Sequence, residues 1–525
     1  MDDLKMQKQT LKKAYKKTKR KHITPWKILA FVCAVVMIVS IPLTFFLQKF
    51  DNTVAAFVGG TFWNLQNEDP NAQYFTSDFD SAEEMVDYGL VLCQQVEAEG
   101  AALLMNNNNA LPLASDAKVS TFSTSSVNLV YGGTGSGNID ASSADTLRTA
   151  LEKVGVSVNP TLWDFYTTGA AKDYTRGNSG TVATASATTA EAPWDIYTDD
   201  VKNSVTEYGD AAIVTLSRVG GEGADLAYGE VDYLTLDQNE KDMLSNLTEM
   251  KKNDFLKNNE YDIDAALWIG DVGISGINAV AEILTGKVNP SGSLVDTYCY
   301  DNYSAPAMWN FTPATYEGYV EGGDAPAKGS SYMIYQEGIY VGYKYYETRY
   351  EDKVMGTGNA GSYDYAATVA FPFGYGLSYT NFTYGDFSLT ENKDGTLTAK
   401  ATVTNTGNVS GEDAVGLYYQ APYTQYDMEN GVEKASINLA DFAKTKELAP
   451  GQSETVTFTF DANDTMKSYD AGKAKGYILD PGEYYITVAP DTHEALNNIL
   501  CAKGYTVEQG MTSAGDAALV GVHTV

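Results

Sequence analysis

The spacing of apolar positions changes three times along this chain of 525 residues. Residues 28–47 form an uncharged run of 20 residues. As a helix rising about 1.5 Å per residue, it would cover about 30 Å, the depth of a bilayer's hydrocarbon core. From Ser81 the pattern becomes amphipathic. Ser81-Ala-Glu-Glu84 offers a capping box, and Met85, Leu92 and Val96 keep a helical period up to about Glu97. Short β-rich runs then alternate with helical ones. Strands are predicted over 101–105, 118–122, 211–216 and 265–269. Helices are predicted over 142–155 (opened by Ser142, closed by Gly155), 195–208, 236–250 and 277–284. This alternation predicts an α/β domain over 81–300, with a mostly parallel sheet sandwiched by helices. Residues 168–191, rich in Thr, Ser, Ala and Gly, predict a surface loop with no core. Residues 301–380, rich in Tyr and Gly, predict a connecting segment. From Asn381 the period drops to two, as in 396–404 and 454–460. The turns Asn405-Thr-Gly407, Ala449-Pro-Gly451 and Asp480-Pro-Gly482 separate the runs. That predicts an all-β immunoglobulin-like sandwich over 381–495 and a polar tail over 496–525.

Charge divides the chain as sharply as hydropathy does. Residues 1–27 carry ten Lys/Arg against two Asp, a net of +8; with −32 for the whole chain, the remainder carries −40. The positive-inside bias predicts that 1–27 is a basic cytoplasmic tail and 28–48 a transmembrane anchor. Residues 49–80 are then a tether, and the body lies outside the cell membrane. A cleaved signal peptide would have an apolar core of about 7–15 residues followed by a small-x-small site. The run here is longer, and Pro42-Leu-Thr-Phe-Phe46 offers no such site. An acidic body excludes nucleic-acid binding, which needs a basic face. Cys33 lies in the anchor, and Cys93, Cys299 and Cys501 fit no zinc or CxxC spacing. With His22, His493 and His523 they make no metal set, and no cofactor is expected.

The candidate chemistry sits after the strand over 211–216, in Ser217-Arg-Val-Gly-Gly-Glu-Gly-Ala-Asp225. Ligands of open α/β sheets bind at loops following the carboxyl ends of strands. Glu222 between two glycines is a carboxylate with little bulk around it. Other stretches share one family's signatures: Glu99-Gly-Ala-Ala-Leu-Leu-Met-Asn106 with Ala110-Leu-Pro-Leu113, Tyr131-Gly-Gly-Thr-Gly-Ser-Gly137, Val288-Asn-Pro-Ser-Gly-Ser-Leu294, Glu337-Gly-Ile-Tyr-Val-Gly-Tyr343 and Phe371-Pro-Phe-Gly-Tyr-Gly-Leu-Ser-Tyr379. From about Glu97 to Leu496 the chain resembles glycoside hydrolase family 3, the β-glucosidase and β-xylosidase type. The resemblance implies its α/β sandwich domain followed by a fibronectin type III-like domain.

The resemblance further implies a β-linked glycoside or oligosaccharide as substrate and Glu222 as catalytic acid/base. It places Ser136, Arg218 and Asp225 on the substrate side, with Arg218 and Asp225 best suited to an ion pair that orients the loop. Two departures stand out. Residues 251–264 lack the apolar strand the family carries before its Ala-Leu-Trp strand. The family's nucleophile, an Asp in a Ser-Asp-Trp-like motif, belongs to a (β/α)8 barrel of roughly 250 residues, and no free stretch of that size is present. Ser77-Asp-Phe79 is similar to that motif but lies in the tether, and Lys21-His22 is similar to a barrel pair but lies in the basic tail. Some family members place the barrel last. The chain is therefore expected to be the forward part of such an enzyme, inactive alone and completed by a barrel supplied elsewhere. The alternative is a non-catalytic surface protein that binds carbohydrate or a partner domain.

Overall fold

The computed structural model describes residues 2–49, 77–133, 137, 139–175, 189–220, 235–250, 261, 263–309, 311, 314–315, 331–358 and 360–525. The chain divides into two compact units, Met1–Asp80 and Ser81–Val525. In the first, α1 (Asp2–Lys49) is one continuous helix, basic in its first half and apolar in its second. Thr10 and Thr44 each turn a hydroxyl back onto the carbonyl four residues earlier at 2.8 Å, which satisfies these polar groups within the helix. Among the described residues α1 is the one helix long and apolar enough to cross a membrane, a test that a signal sequence also passes.

The second unit opens with α2 (Ala82–Gly100), where Ser81 accepts from the Glu84 amide at 3.0 Å. There follow β1 (Ala102–Asn106), β2 (Lys118–Phe122), α3 (Leu147–Lys153), β3 (Ser157–Val158), α4 (Pro160–Thr167), α5 (Asp199–Glu207), β4 (Ala211–Val214), α6 (Gln238–Met250), β5 (Ala265–Trp268) and α7 (Ile277–Leu284). β2 pairs in parallel with both β3 and β4. Successive side chains of a strand face opposite sides. Val119 accordingly enters a core with Leu103, Leu151, Ile277 and Val280, while Phe122 enters another with Leu162, Phe165, Tyr197 and Met243. Helices therefore cover both faces of the parallel strands.

Three expectations for the α/β layer are corrected. β1 and β5 pair antiparallel with each other, apart from the three parallel strands, so the sheet is less uniformly parallel than predicted. The helix expected from Ser142 begins at Leu147. Thr146 and Thr149 cap it reciprocally, whereas Ser142 sits in a short turn closed by Asp140. The segment 168–191 was expected to lack a core, yet Ala171, Thr189 and Glu191 are buried. The strand gap expected at 251–264 lies largely outside the described residues.

The sandwich holds β6 (Phe382–Glu391), β7 (Thr396–Asn405), β8 (Ala414–Gln420), β9 (Asn438–Lys444), β10 (Ser453–Asp461), β11 (Glu483–Ala489) and β12 (Val520–Thr524). One sheet runs β6-β7-β10 and the other β9-β8-β11-β12. Leu397, Ala399, Ala401 and Val403 of β7 alternate inward against Leu417, Ile486 and Val488. The Tyr484 hydroxyl closes the 480–484 corner, accepting from Asp480 N at 3.0 Å and donating to its carbonyl at 3.1 Å. Residues 496–525 are not a polar tail. They complete a helix, α9 in chain order (Thr492–Ala502), and supply the edge strand β12 paired with β11. The helix Tyr343–Met355, α8, packs Tyr346 and Tyr350 against Leu496 and Leu500 of α9.

Two sequence signatures form the joint between these layers. The Asn289 side chain accepts from Ser378 Oγ and Tyr379 N, both at 2.8 Å, and donates to Ser410 O at 2.9 Å. Beside it, a Cβ on Gly292 would lie 2.4 Å from the Ala101 carbonyl, and one on Gly376 would lie 2.1 Å from the Gly292 carbonyl. Only hydrogen fits at such contacts. Leu377 N then reaches Leu103 O at 2.8 Å. We expect Asn289→Ala to destabilise the second unit by about 1–3 kcal/mol for each partly buried partner left unpaired. Thermal unfolding checks this; an unchanged midpoint would show that the joint is held by packing alone.

Candidate active-site loop

The strands β2 and β4 run side by side, and their carboxyl ends deliver Ser123 and Ser217 to the same edge. Ser123 Oγ donates to Thr215 O at 2.5 Å, and the Ser125 and Ser217 hydroxyls meet at 2.7 Å. Ser123 takes φ +84°, turning the chain sharply into the single helical turn Thr124–Val127. This edge carries the loop singled out in the sequence.

Glu222 and Asp225 lie outside the described residues, but the stems of their loop are described. Arg218 Nη1 and Nη2 each lie 2.8 Å from one oxygen of Glu240, a bidentate pair. The Glu240 side chain is fully buried and that of Arg218 is 18% exposed. Glu240 also accepts from Asp237 N at 2.9 Å, while Asp237 accepts from Glu240 N at 2.9 Å, a reciprocal cap on α6. Thr189 N adds a donor at 3.1 Å. Burial alone would raise the Glu240 pKa. Arg218, Thr189 and Asp237 outweigh it and hold the carboxyl below its ordinary value. One buried ion pair thus closes the two ends of the segment that contains Glu222.

A second buried carboxylate stands behind the first. Glu191 Oε1 accepts from Tyr166 and Tyr197 hydroxyls at 3.1 and 3.0 Å and from Ala192 N at 2.8 Å; Oε2 accepts from Thr124 N at 3.0 Å. Burial still pushes its pKa up. Thr189 links the two carboxylates, since its carbonyl accepts from Thr124 Oγ1 at 2.7 Å. Sequence reasoning found neither Glu191, Glu240 nor Thr189. Thr189 and Glu191 sit in a Ser/Thr/Ala-rich stretch that looks solvated, and Glu240 looks like an ordinary first-turn helix acid. The Asp237–Glu240 capping pattern was the one signal available.

Ser136 also lies outside the described residues. The start of its turn is tied elsewhere, with Gly273 N donating to Tyr131 O at 2.8 Å. There a cleft of about 320 Å³ separates α2 from residues 271–273, lined by Leu92, Cys93, Val96, Glu97 and Asp271 among others. Glu97 is 8% exposed, and its Oε1 has no hydrogen-bond partner. Burial, with the charge of Asp271, raises its pKa to about 7.

Arg218→Ala leaves Glu240 charged and buried, and should destabilise the chain by about 3–5 kcal/mol. Arg218→Met with Glu240→Leu should recover only part of that loss, because the Thr189 and Asp237 amides lose their acceptor. Because the Glu240 pKa is depressed on folding, its contribution is present above the ordinary carboxylate range and disappears as pH falls through the lowered value. Equal melting temperatures for wild type and Arg218→Ala would show that the pair does not hold the loop. Glu97 has the opposite sign. A pKa raised on folding favours the folded state at low pH and loses that advantage as pH rises toward about 7. Glu97→Gln should therefore melt above wild type at pH 8, with the gap closing toward pH 4.5. A gap independent of pH would remove the buried-proton account.

Comparison with known proteins agrees with the layers seen here. Residues 101–343 match the glycosyl hydrolase family 3 C-terminal domain, and 413–492 match a fibronectin type III-like domain. The chain is 29% identical over 469 residues to beta-glucosidase A of Butyrivibrio fibrisolvens, covering 79% of this chain and 51% of that protein. It is 30% identical over 420 residues to a beta-glucosidase of Ruminococcus albus, covering 76% and 39%. Among solved structures, beta-glucosidase 3B of Thermotoga neapolitana, in complex with alpha-D-glucose, superimposes with a TM-score of 0.60 at 25% identity, covering 78% of this chain and 53% of that one. The chain spans about half, or less, of the length of these relatives. The signatures at the joint, the two layers and these matches agree: the chain carries the C-terminal α/β domain of glycosyl hydrolase family 3, followed by a fibronectin type III-like domain.

Proposed function

We propose that this chain is the acid/base-bearing part of a membrane-anchored, retaining β-glucoside hydrolase. Glu222 protonates the departing glycosidic oxygen and then, as a carboxylate, takes a proton from the attacking water. The nucleophile is an aspartate of a (β/α)8 barrel supplied from outside these 525 residues. Retention requires the two carboxyl groups about 5–5.5 Å apart, so the barrel must seat against the edge where β2 and β4 end. Ser136 contacts the sugar, and Asp225 flanks the acid. Arg218 acts through the loop, since its bidentate pair with Glu240 joins the two stems.

The observation that carries this reading is the Arg218–Glu240 clamp. A buried bidentate pair at the carboxyl ends of parallel strands holds the stems of the loop that bears Glu222. A general acid must sit within about a hydrogen bond's length of its target, and a loop held only by solvent-exposed contacts would not keep that register. The relatives named beta-glucosidase supply the substrate class.

Purified full chain should not hydrolyse aryl β-glucosides above background. Mixed with the separately expressed barrel of a barrel-last relative, it should gain activity that Glu222→Gly abolishes. Azide should partly restore the Glu222→Gly mixture, because a small anion replaces water without needing a general base. Turnover by the chain alone, lost on Glu222→Gln, would show that both carboxylates belong to this chain. A stable mixture equally active with and without Glu222→Gly would remove Glu222 from the mechanism.

A further inference from the structure

The basic half of α1 is more ordered in its chemistry than a stop signal for translocation requires. Leu4, Leu11, Tyr15 and Thr18 follow one another at spacings of seven, four and three, which places them along one stripe of a helix. Leu4, Leu11 and Tyr15 are 67%, 69% and 68% exposed. Beside this stripe runs a row of cations, Lys5, Lys8, Lys12, Lys16 and Lys19, spaced three, four, four and three. Lys19 Nζ lies 5.9 Å from the Tyr15 ring centre, at the border of stripe and row. A helix meant only to stay in water has no use for an apolar stripe. A helix lying at a lipid surface needs one, with long cationic side chains reaching outward from its edges.

The junction with the apolar run supports the same geometry. Pro25 lacks an amide proton, so the Lys21 carbonyl has no helical donor there, and the helix is weakest just before the apolar run begins at 28. Trp26, 71% exposed, follows at the position where amphipathic rings settle at the headgroup level. A bend at Pro25 would turn residues 2–22 from the membrane normal into the membrane plane.

We infer that residues 2–22 of α1 form a Pro25-hinged amphipathic arm that binds the anionic lipid surface on its own side of the bilayer that α1 spans. The inference rests on the reading of residues 28–48 as a membrane anchor. Leu4, Leu11 and Tyr15 enter the headgroup layer, and the lysine row pairs with lipid phosphates. Continuity with the span keeps the arm within reach of the surface, so little further entropy is lost on docking. Each lysine near an anionic surface contributes roughly fivefold to binding. The arm's charge, opposite to that of the body, suits it to acidic lipid and not to the neutral glycosides the body is read to handle.

The test uses the full chain in nanodiscs of zwitterionic lipid, with and without enough phosphatidylglycerol to give a surface potential of about −30 mV. Amide exchange over residues 4–21 should slow by at least about tenfold in the anionic discs. Salt at about 0.5 M should remove most of that protection, since the screening length then falls well below 10 Å. Replacing Lys8, Lys12, Lys16 and Lys19 with Gln should abolish the preference for anionic discs while leaving insertion intact. Leu11→Ser with Tyr15→Ser should weaken protection at low salt. Equal exchange in both kinds of disc, with the chain inserted, overturns the inference and leaves the anchor standing. A chain that stays out of both discs removes the anchor itself, and the arm with it. Stronger protection by a short DNA duplex than by anionic lipid would reassign the cations to nucleic acid and overturn the lipid surface.

Discussion

The molecule depends on a place where three backbones approach with almost nothing between them. Gly292 faces the Ala101 carbonyl, and Gly376 faces the Gly292 carbonyl, at distances where a methyl group would overlap. Asn289 spans the same joint and bonds to residues 378, 379 and 410 with one amide. This contact sets the spacing between β1, the 371–379 segment and the first turns of the sandwich. Side-chain packing tolerates small adjustments, but a backbone-to-backbone contact does not. The α/β layer and the sandwich are therefore held in a single register. Glu99 of α2 pairs with Lys444 of β9 across the same boundary.

Buried acids recur through a strongly acidic body, and each is handled by a different device. Glu240 has a guanidinium and backbone donors, which keep it ionised. Glu191 has two tyrosine hydroxyls and two backbone donors, and burial still raises its pKa. In α8, Glu347 lies 2.9 Å from His493, whose ring stacks on Tyr365 at 3.7 Å. Burial would lower the His493 pKa, but the Glu347 carboxylate raises it above the ordinary value. In the sandwich, Lys434 is shared between Asp427 and Asp480 at 2.8 and 2.6 Å. Breaking such an arrangement costs more than the arrangement contributes, because the partner left behind stays buried and charged. These clusters specify geometry more than they add stability. The clamp at Glu240 is the one of these that joins the two stems of the 219–239 segment.

The arm and the body use charge for opposite ends. Residues 28–525 carry a net −40, a strongly acidic balance whose summed field repels other anions. The +8 of residues 1–27 is concentrated next to an apolar run, which would keep its cations within a screening length of an anionic surface.

Whatever depends on local periodicity and on backbone rules was legible in the order of residues. The strand at 118–122 and the helix at 277–284 appear at their expected bounds, the strand as a short β-prone run buried on both faces and the helix as a run with an unambiguous apolar period. The change to alternation after Asn381 identified the sandwich for the same reason. Asn289, Gly292 and Gly376 were visible as signatures, although their purpose was not, since their partners lie up to some 190 residues away in the chain. Tertiary structure alone decided the rest. Thr146 took over the cap expected of Ser142 because packing set where α3 could begin. The last 30 residues became helix and edge strand, since an open edge on β11 and an apolar face on α8 needed covering. That Glu240, twenty-two residues on, pairs with Arg218 could not be read from spacing; only the fold brought it, buried and hydrogen-bonded, within 2.8 Å.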